Sequence, residues 1–506
     1  MPLQKFRFPG RAALLSSAAL AAMVMGAAAR DLPGTPEGAA RISAFVATYA
    51  GKTAAAAPAL TVTPEASGYT VSIDIAALAA ALNAAGVVYD PAVVKLSAFE
   101  QDDGTWRLEQ TGMPTLSGHS VRGDARSDFL YAATGFKAAA VLDPALSWVR
   151  SQQVTADKLG VAVHGPGVKE TVEAGPVEAT LTSKAAPEGA VSTAIHKTLG
   201  PSSLAFKIDP KALNSDADSD AKPFDVSVQS QAATADINFD GLKTPALLDL
   251  WAFWVAHPSR AELAANEPAF KSLLSAALAG QPSFSEDAGS TKLTVGTPKG
   301  PFGFDDFKLG AGGAFAGPDS RFSERIAANG LSLPPGLVPD IYRDFVPTAF
   351  DVGMKFSGVN LTAAVEEAVA NLHLAGDQPP ISPEDKEKIV AKLLGAGPVV
   401  IDIAPSRVQA PQLDLSFDGQ IRYVAGKPTG TLTLRMQNFD KTVSALKALG
   451  PDAEAKMVPF LAMAKGLAKT EADGGLTWVN EIGADGMMKV NGLPVGKSPF
   501  IKKEDK

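Results

Sequence analysis

No cysteine occurs among the 506 residues. That single absence removes a lipoprotein attachment site, a disulfide framework, a thiol nucleophile and a thiolate metal site together. Stability has to come from packing. Histidine is scarce as well: His119, His164, His196, His257 and His373 are dispersed, and none has a second histidine or a carboxylate at metal-ligand spacing. They read as surface or turn residues. Basic blocks are also missing from a chain whose formal charge is −8. Nucleic acid and anionic membrane surfaces both select Lys and Arg clusters, so neither is an expected partner.

Long apolar runs are missing too. The stretch from Ala12 to Met25 is too short to span a bilayer comfortably, which takes about 20 residues. Lys5, Arg7 and Arg11 precede it and Ala27-Ala28-Ala29 follow, the order of a cleaved secretory signal. We expect residues 1–29 to be removed and the mature chain to begin near Arg30 as a soluble periplasmic protein without a transmembrane span. Loss of the three leading cations takes the formal charge from −8 to −11.

What is present is alternation. Tyr69, Val71, Ile73 and Ile75 lie two apart, the period of a half-buried strand. Asp102-Asp103-Gly104 sits between two such runs like a hairpin loop. Val161 to Ser183 reads as several short strands, and helical pattern is scarce before residue 210, apart from the alanine-rich 76–85. A β-rich region over 30–213 is therefore expected, then an acidic linker at 214–223. Beyond it we expect a β/α unit over 224–345 and further β/α units over 346–506. Thr244-Pro245 opens a helix that Pro258 stops. Ser259 with Glu262 has the spacing of a capping box, and Ser382-Pro383 opens a third helix ending at Gly395.

Three segments share apolar residues two apart and then Gly or Asn before a helical stretch: Ile237 to Leu242, Met354 to Val359 and Leu434 to Phe439. Because Gly and Asn tolerate a left-handed backbone, Gly241, Gly358 and Asn438 are expected to form tight strand-to-helix turns. A β-α-β-β unit used three times would explain the rhythm. The expected fold is α+β, with twisted, mainly antiparallel sheets covered by helices, elongated and repeated toward the C-terminus.

Several motifs resemble chemistry and fail on inspection. Gly492-Leu493-Pro494-Val495-Gly496-Lys497-Ser498 lacks one residue of a phosphate-binding loop, and Pro499 forbids the helix that must follow. Asp216, Asp218 and Asp220 alternate like the first ligands of a calcium loop, but Ala221 and Ser227 stand where Gly and Glu are needed. A solvated linker is the simpler reading, and calcium is the one cofactor left open. Ser444 and Lys447 lack the companion motifs of a catalytic Ser-x-x-Lys. No catalytic residue is assigned, and an enzyme is not expected. Trp251, Phe253 and Trp254 on one short helix carry much apolar area. They pack on a sheet or, with Phe270, line a groove for an acyl chain.

The ending Gly474-Gly475-Leu476-Thr477-Trp478-Val479, followed by Gly486-Met487-Met488-Lys489-Val490-Asn491-Gly492, resembles the bacterial envelope family called domain of unknown function 2125. There a helical stretch like Phe439 to Leu467 likewise precedes a strand pair closing in Asn-Gly. The resemblance covers the last two thirds of the chain and implies an exported protein without assigned activity. The rhythm is also similar to that of large envelope proteins with long curved sheets, some of which hold lipid. Two functions remain open: an envelope structural or assembly factor that contacts other envelope proteins, and a lipid or apolar-ligand binder.

Overall fold

A computed structural model describes residues 30–497, except 53, 82–85, 123–124, 166–167, 209–222, 281, 377–378, 396 and 425–426. The expected signal segment and all of the acidic linker but Pro223, with Asp216, Asp218 and Asp220, thus lie outside the described residues. The chain divides into two compact units, Met1–Gly280 with Leu372–Pro380, and Gln281–Asn371 with Ile381–Lys506.

The first unit begins with helix α1 (Pro36–Ala50). Thr35 caps it by accepting a hydrogen bond from the Gly38 amide, and Pro36 supplies a preset φ at the first turn. Strand β1 (Leu60–Pro64), β2 (Tyr69–Asp74), helix α2 (Ile75–Ala81), β3 (Val87–Tyr89) and β4 (Val93–Glu100) follow. The next twelve strands come as six bent pairs. They are β5 (Trp106–Thr111) with β6 (Leu116–Arg122), β7 (Ala125–Thr134) with β8 (Lys137–Asp143), and β9 (Trp148–Ala156) with β10 (Lys158–Gly165). After these come β11 (Val168–Ala174) with β12 (Val177–Ala186), β13 (Ala190–Leu199) with β14 (Ser202–Ile208), and β15 (Phe224–Ser230) with β16 (Ala232–Leu242).

Pairing is antiparallel and sorts these strands into two leaves. The first leaf runs β1, β2, β4, β5, β8, β9, β12, β13, β16. The second runs β3, β6, β7, β10, β11, β14, β15. Each bent pair crosses from one leaf to the other within at most a few residues, so the two leaves meet along a crease. Helices α3 (Thr244–Ala256), α4 (Arg260–Ala265) and α5 (Glu267–Leu278) complete the unit. The capping box expected at Ser259 is present in both directions.

The second unit is an antiparallel meander. Strands β17 (Ser283–Thr297), β18 (Gly300–Ala314), β19 (Ser320–Asn329) and β20 (Ala349–Val359) pair in sequence. Helices α6 (Leu361–Ala370) and α7 (Pro383–Leu394) intervene before β21 (Val399–Ala410), β22 (Leu413–Val424) and β23 (Lys427–Gln437). Helices α8 (Phe439–Ala448) and α9 (Pro451–Leu467) and the short β24 (Lys469–Thr470) precede β25 (Leu476–Ile482), β26 (Met487–Val490) and β27 (Leu493–Lys497). Phe439, Met436 and Leu476 are buried together under Leu461 of α9, with Trp478 and Leu415 packed around them.

The fold class expected from sequence is corrected here. The chain is mostly β, with 52% strand against 25% helix, and its antiparallel sheets are not helix-covered repeats of a β-α-β-β unit. The shared turn is real: φ is +76° at Gly241, +79° at Gly358 and +57° at Asn438. Yet four strands separate the first two helical insertions and three the next two, so the turn recurs without an equal unit around it. Local backbone chemistry was mistaken for a module because a strand that must reverse into a helix needs the same left-handed residue wherever it occurs.

Candidate functional site

In the first leaf, directly opposed residues share a face. The register places Tyr69, Val71 and Ile73 beside Ala98, Leu96 and Val94, and Leu108 beside Ala140. Val154 then lies beside Ala138 and Ala179, and Ile195 beside Leu181 and Ile237. In the second leaf the same logic groups Phe129 and Tyr131 with Val163 and Val161, then Val172, Leu204 and Val228. The opposite faces carry Thr155, Glu178, Thr180, His196, Asp236, Asp128 and Lys207. Each leaf is therefore mainly apolar on one side, where Gln110, Gln152 and Lys197 of the first leaf and Glu170 of the second also stand, and polar on the other.

The crease brings the two apolar sides together. Phe136, Ala138 and Ala156 are buried there with Ala133, Val154, Val177 and Met113 packed against them, and these residues come from both leaves. At five corners the inward residues on either side of the bend are an odd number of positions apart: Ala133 and Ala138, Ala156 and Leu159, Ala174 and Val177, Leu199 and Ser202, Ser230 and Ala233. In an uninterrupted strand an odd spacing would turn one of each pair outward. An added residue at each bend, in the manner of a bulge, restores the inward direction while turning the strand. Backbone hydrogen bonds tie neighbouring corners, from Gly112 N to Phe136 O at 2.7 Å, Asp157 N to Thr134 O at 2.9 Å and Gly200 N to Pro176 O at 2.7 Å. A Cβ on Gly200 would come within 2.5 Å of the Gly175 carbonyl, so the close approach there requires glycine.

The result is a trough with apolar walls. Its lining is not sealed: Phe129, Tyr131, Val161, Val172, Leu204, Leu181, Ile195 and Ile237 are each only half-buried. Tyr89 and Phe129 meet edge to face with ring centroids 5.0 Å apart. Burial pushes the phenols of both Tyr89 and Tyr131 above their ordinary value of 10.0, as an apolar lining disfavours phenolate. One end of the first leaf is closed. There Ala39, Ile42 and Val46 of α1 pack on the apolar side of Leu60, Tyr69, Val71, Ala98, Trp106 and Leu108. Arg41 binds Glu100, and the Thr35 amide donates to the Tyr69 hydroxyl at 3.2 Å, which holds the helix in place.

The aromatic residues singled out from sequence are split. Trp251 and Trp254 stack edge to face at 5.3 Å, half-exposed, and Trp251 Nε1 donates to the Tyr49 carbonyl of α1 at 2.8 Å. Phe270 instead meets Phe253, on the other side of α3, at 6.2 Å. Helix α3 starts at the rim of the first leaf, where Thr244 Oγ1 donates to the Leu146 carbonyl at 2.6 Å. The trough residues themselves were missed. Their only signal was β alternation, and the corners break its phase.

Other sequence candidates resolve plainly. His196 Nδ1 lies 2.7 Å from its direct cross-strand neighbour Asp236 on the outer face, and His257 Nδ1 contacts the Phe253 carbonyl. The glycine-rich ending forms β27 through Lys497 rather than a phosphate-cradling loop. A surface cavity of about 350 Å³ on the second unit is lined by Asp306, Lys308, Asp351, Arg407 and Gln409. Two of its charged groups pair with neighbours, Asp351 with Arg325 at 2.6 Å and Arg407 with Asp414 at 2.6 Å. Among the described residues no group of His, Asp or Glu is placed to hold a metal ion, and no helix is long and apolar enough to cross a membrane.

Compared with known proteins, residues 241–499, a little over half of the chain, match the model of a family described as "Uncharacterized protein conserved in bacteria (DUF2125)". No curated protein and no solved structure matches.

Proposed function

We propose, for a chain that belongs to the uncharacterized bacterial DUF2125 family, a non-catalytic role in the cell envelope, holding lipid acyl chains or similar apolar ligands in the creased sheet of its first unit. The observation that carries this reading is the joining of two apolar sheet faces at the crease while their side chains stay half-exposed. A sheet face that serves only stability is normally buried against a second layer, and apolar area left facing water costs roughly 25 cal/mol per Å². A ligand chain laid between the leaves would recover that energy. Export to the periplasm is part of the proposal and rests on the leading basic, apolar and small-residue segments.

The test is to purify the protein from its bacterial host without detergent, weigh it by native mass spectrometry and extract it with organic solvent. Acyl-bearing species at near-stoichiometric amounts are expected, with the mature N-terminus near Arg30. Ligand-free protein from the periplasm would leave the trough reading without support.

A second reading, an assembly factor that contacts other envelope proteins, is favoured by helix α9. Met457, Phe460 and Met463 project from it to solvent at 43%, 61% and 59% exposure. Such a patch suits a protein partner. Co-purification that is lost on Phe460→Ser would support it.

A further inference from the structure

Among the described residues, Lys197 is the one charged side chain that the register assigns to the inner apolar side of the first leaf from β8 to β16. It stands opposite Ala179 on β12 and Ala235 on β16. Ala179 faces Val154, and Val154 faces Ala138, so Lys197 shares a row with small and apolar residues that reaches the buried amide of Gln110 on β5. Lys197 is exposed, whereas Ala138 is 5% exposed at the crease. The acids of the adjoining strands, Glu178 and Asp236, sit on the other face, the latter against His196. An ammonium at the margin of an apolar row, with alanines leaving room beside it, is suited to an anionic group carried on an apolar tail.

The trough also has a direction. Helix α1 closes the first leaf over Trp106 and Leu108 of β5. From β13, which carries Lys197, to β5 there are four strand-to-strand steps, through β12, β9 and β8. At about 4.8 Å per step that is roughly 19 Å. One leaflet of a bilayer's hydrocarbon core is about half of 30 Å, or roughly 15 Å, so the row accommodates one extended acyl chain. Resting on the trough reading above, we propose that Lys197 binds the acidic head of a single-chain amphiphile whose tail lies across the strands toward α1.

The probe pair is cis-parinaric acid and its methyl ester, which share a tail and differ in charge at neutral pH; both fluoresce more brightly in apolar surroundings. The native chain should bind the acid about tenfold more tightly than the ester. Lys197→Gln should abolish that preference by weakening the acid alone, Lys197→Arg should keep it, and Lys184→Gln on the outer face should change neither probe. Circular dichroism confirms that each variant is folded. Equal affinity for acid and ester in the native chain, or an equal loss of both in Lys197→Gln, overturns the role of Lys197 and leaves the trough standing. Failure of both probes to bind the native chain overturns the trough reading and this proposal with it.

Discussion

The two units of this chain use one material, an antiparallel sheet with an apolar side, and cover that side differently. In the second unit helices α8 and α9 lie over part of it, and Phe439, Met436 and Leu476 are buried beneath them. In the first unit the sheet turns on itself, α1 covers one end, and the remaining inner side chains stay half-buried. Burial that is completed by the chain's own helices serves stability. Burial left unfinished between two walls leaves a place for something else. Strands β17, β18, β21 and β22 of the second unit are also mostly half-buried, so it is the joining of two leaves at the crease, and not half-burial alone, that marks the candidate site.

Mutations can break this comparison. The largest effect is expected from Phe439→Ala, whose side chain is 6% exposed, and from Phe136→Ala at the crease. Each should lower stability by about 3–5 kcal/mol in chemical denaturation. If Phe136→Ala costs much less, the crease is not a packed hinge line and the two leaves are not joined as described. Next, Leu204→Glu in the second leaf should reduce retained lipid about tenfold, measured by solvent extraction. Leu309→Glu on the second unit, already 40% exposed, should leave it unchanged. Equal losses from both would erase the contrast between the units.

Thr35→Ala removes the cap of α1 and should cost about 1 kcal/mol. It should also speed ligand release, because α1 closes one end of the leaf; a change in stability alone would make α1 a brace rather than a stopper. The smallest effect concerns pH. The folded Tyr131 phenol titrates above its ordinary value of 10.0 because burial disfavours the charged form. The unfolded chain therefore releases this proton first, and stability present below pH 10.0 is lost as pH rises through the folded value. Tyr131→Phe should make that alkaline decline shallower, as followed by denaturation at a series of pH values.

Much of the local structure was legible from residue chemistry. Ser259 caps its helix as the spacing with Glu262 implies, Ser382 caps the helix that Ser382-Pro383 opens, and Gly395 ends α7 at φ +54°. The Asp102-Asp103-Gly104 hairpin forms between β4 and β5, with Gly104 at φ +82°. These features depend on residues a few positions apart. The crease does not. Gln110 and Ala138 become neighbours because β5 pairs with β8, and nothing in either segment announces that choice. Val161 to Ser183 reads as several short strands and forms β10, β11 and β12, but the phase shift at Gly175-Pro176 hides that β11 and β12 belong to different leaves. Trp251 finds its partner at Tyr49, across 202 positions, where composition gives no guide.

The shifted phase at the corners also governs how such a chain can change length. Deleting one corner residue would turn the inward side chains of a whole half-strand toward water, so single-residue indels there should be among the least tolerated in the molecule. A duplicated pair of bent strands carries its own corners and keeps every side chain facing its proper way. Each such addition would extend the trough by about two strand spacings, close to 10 Å, at constant cross-section. The creased sheet is thus a form that can grow by whole ribs and resists growth by single residues.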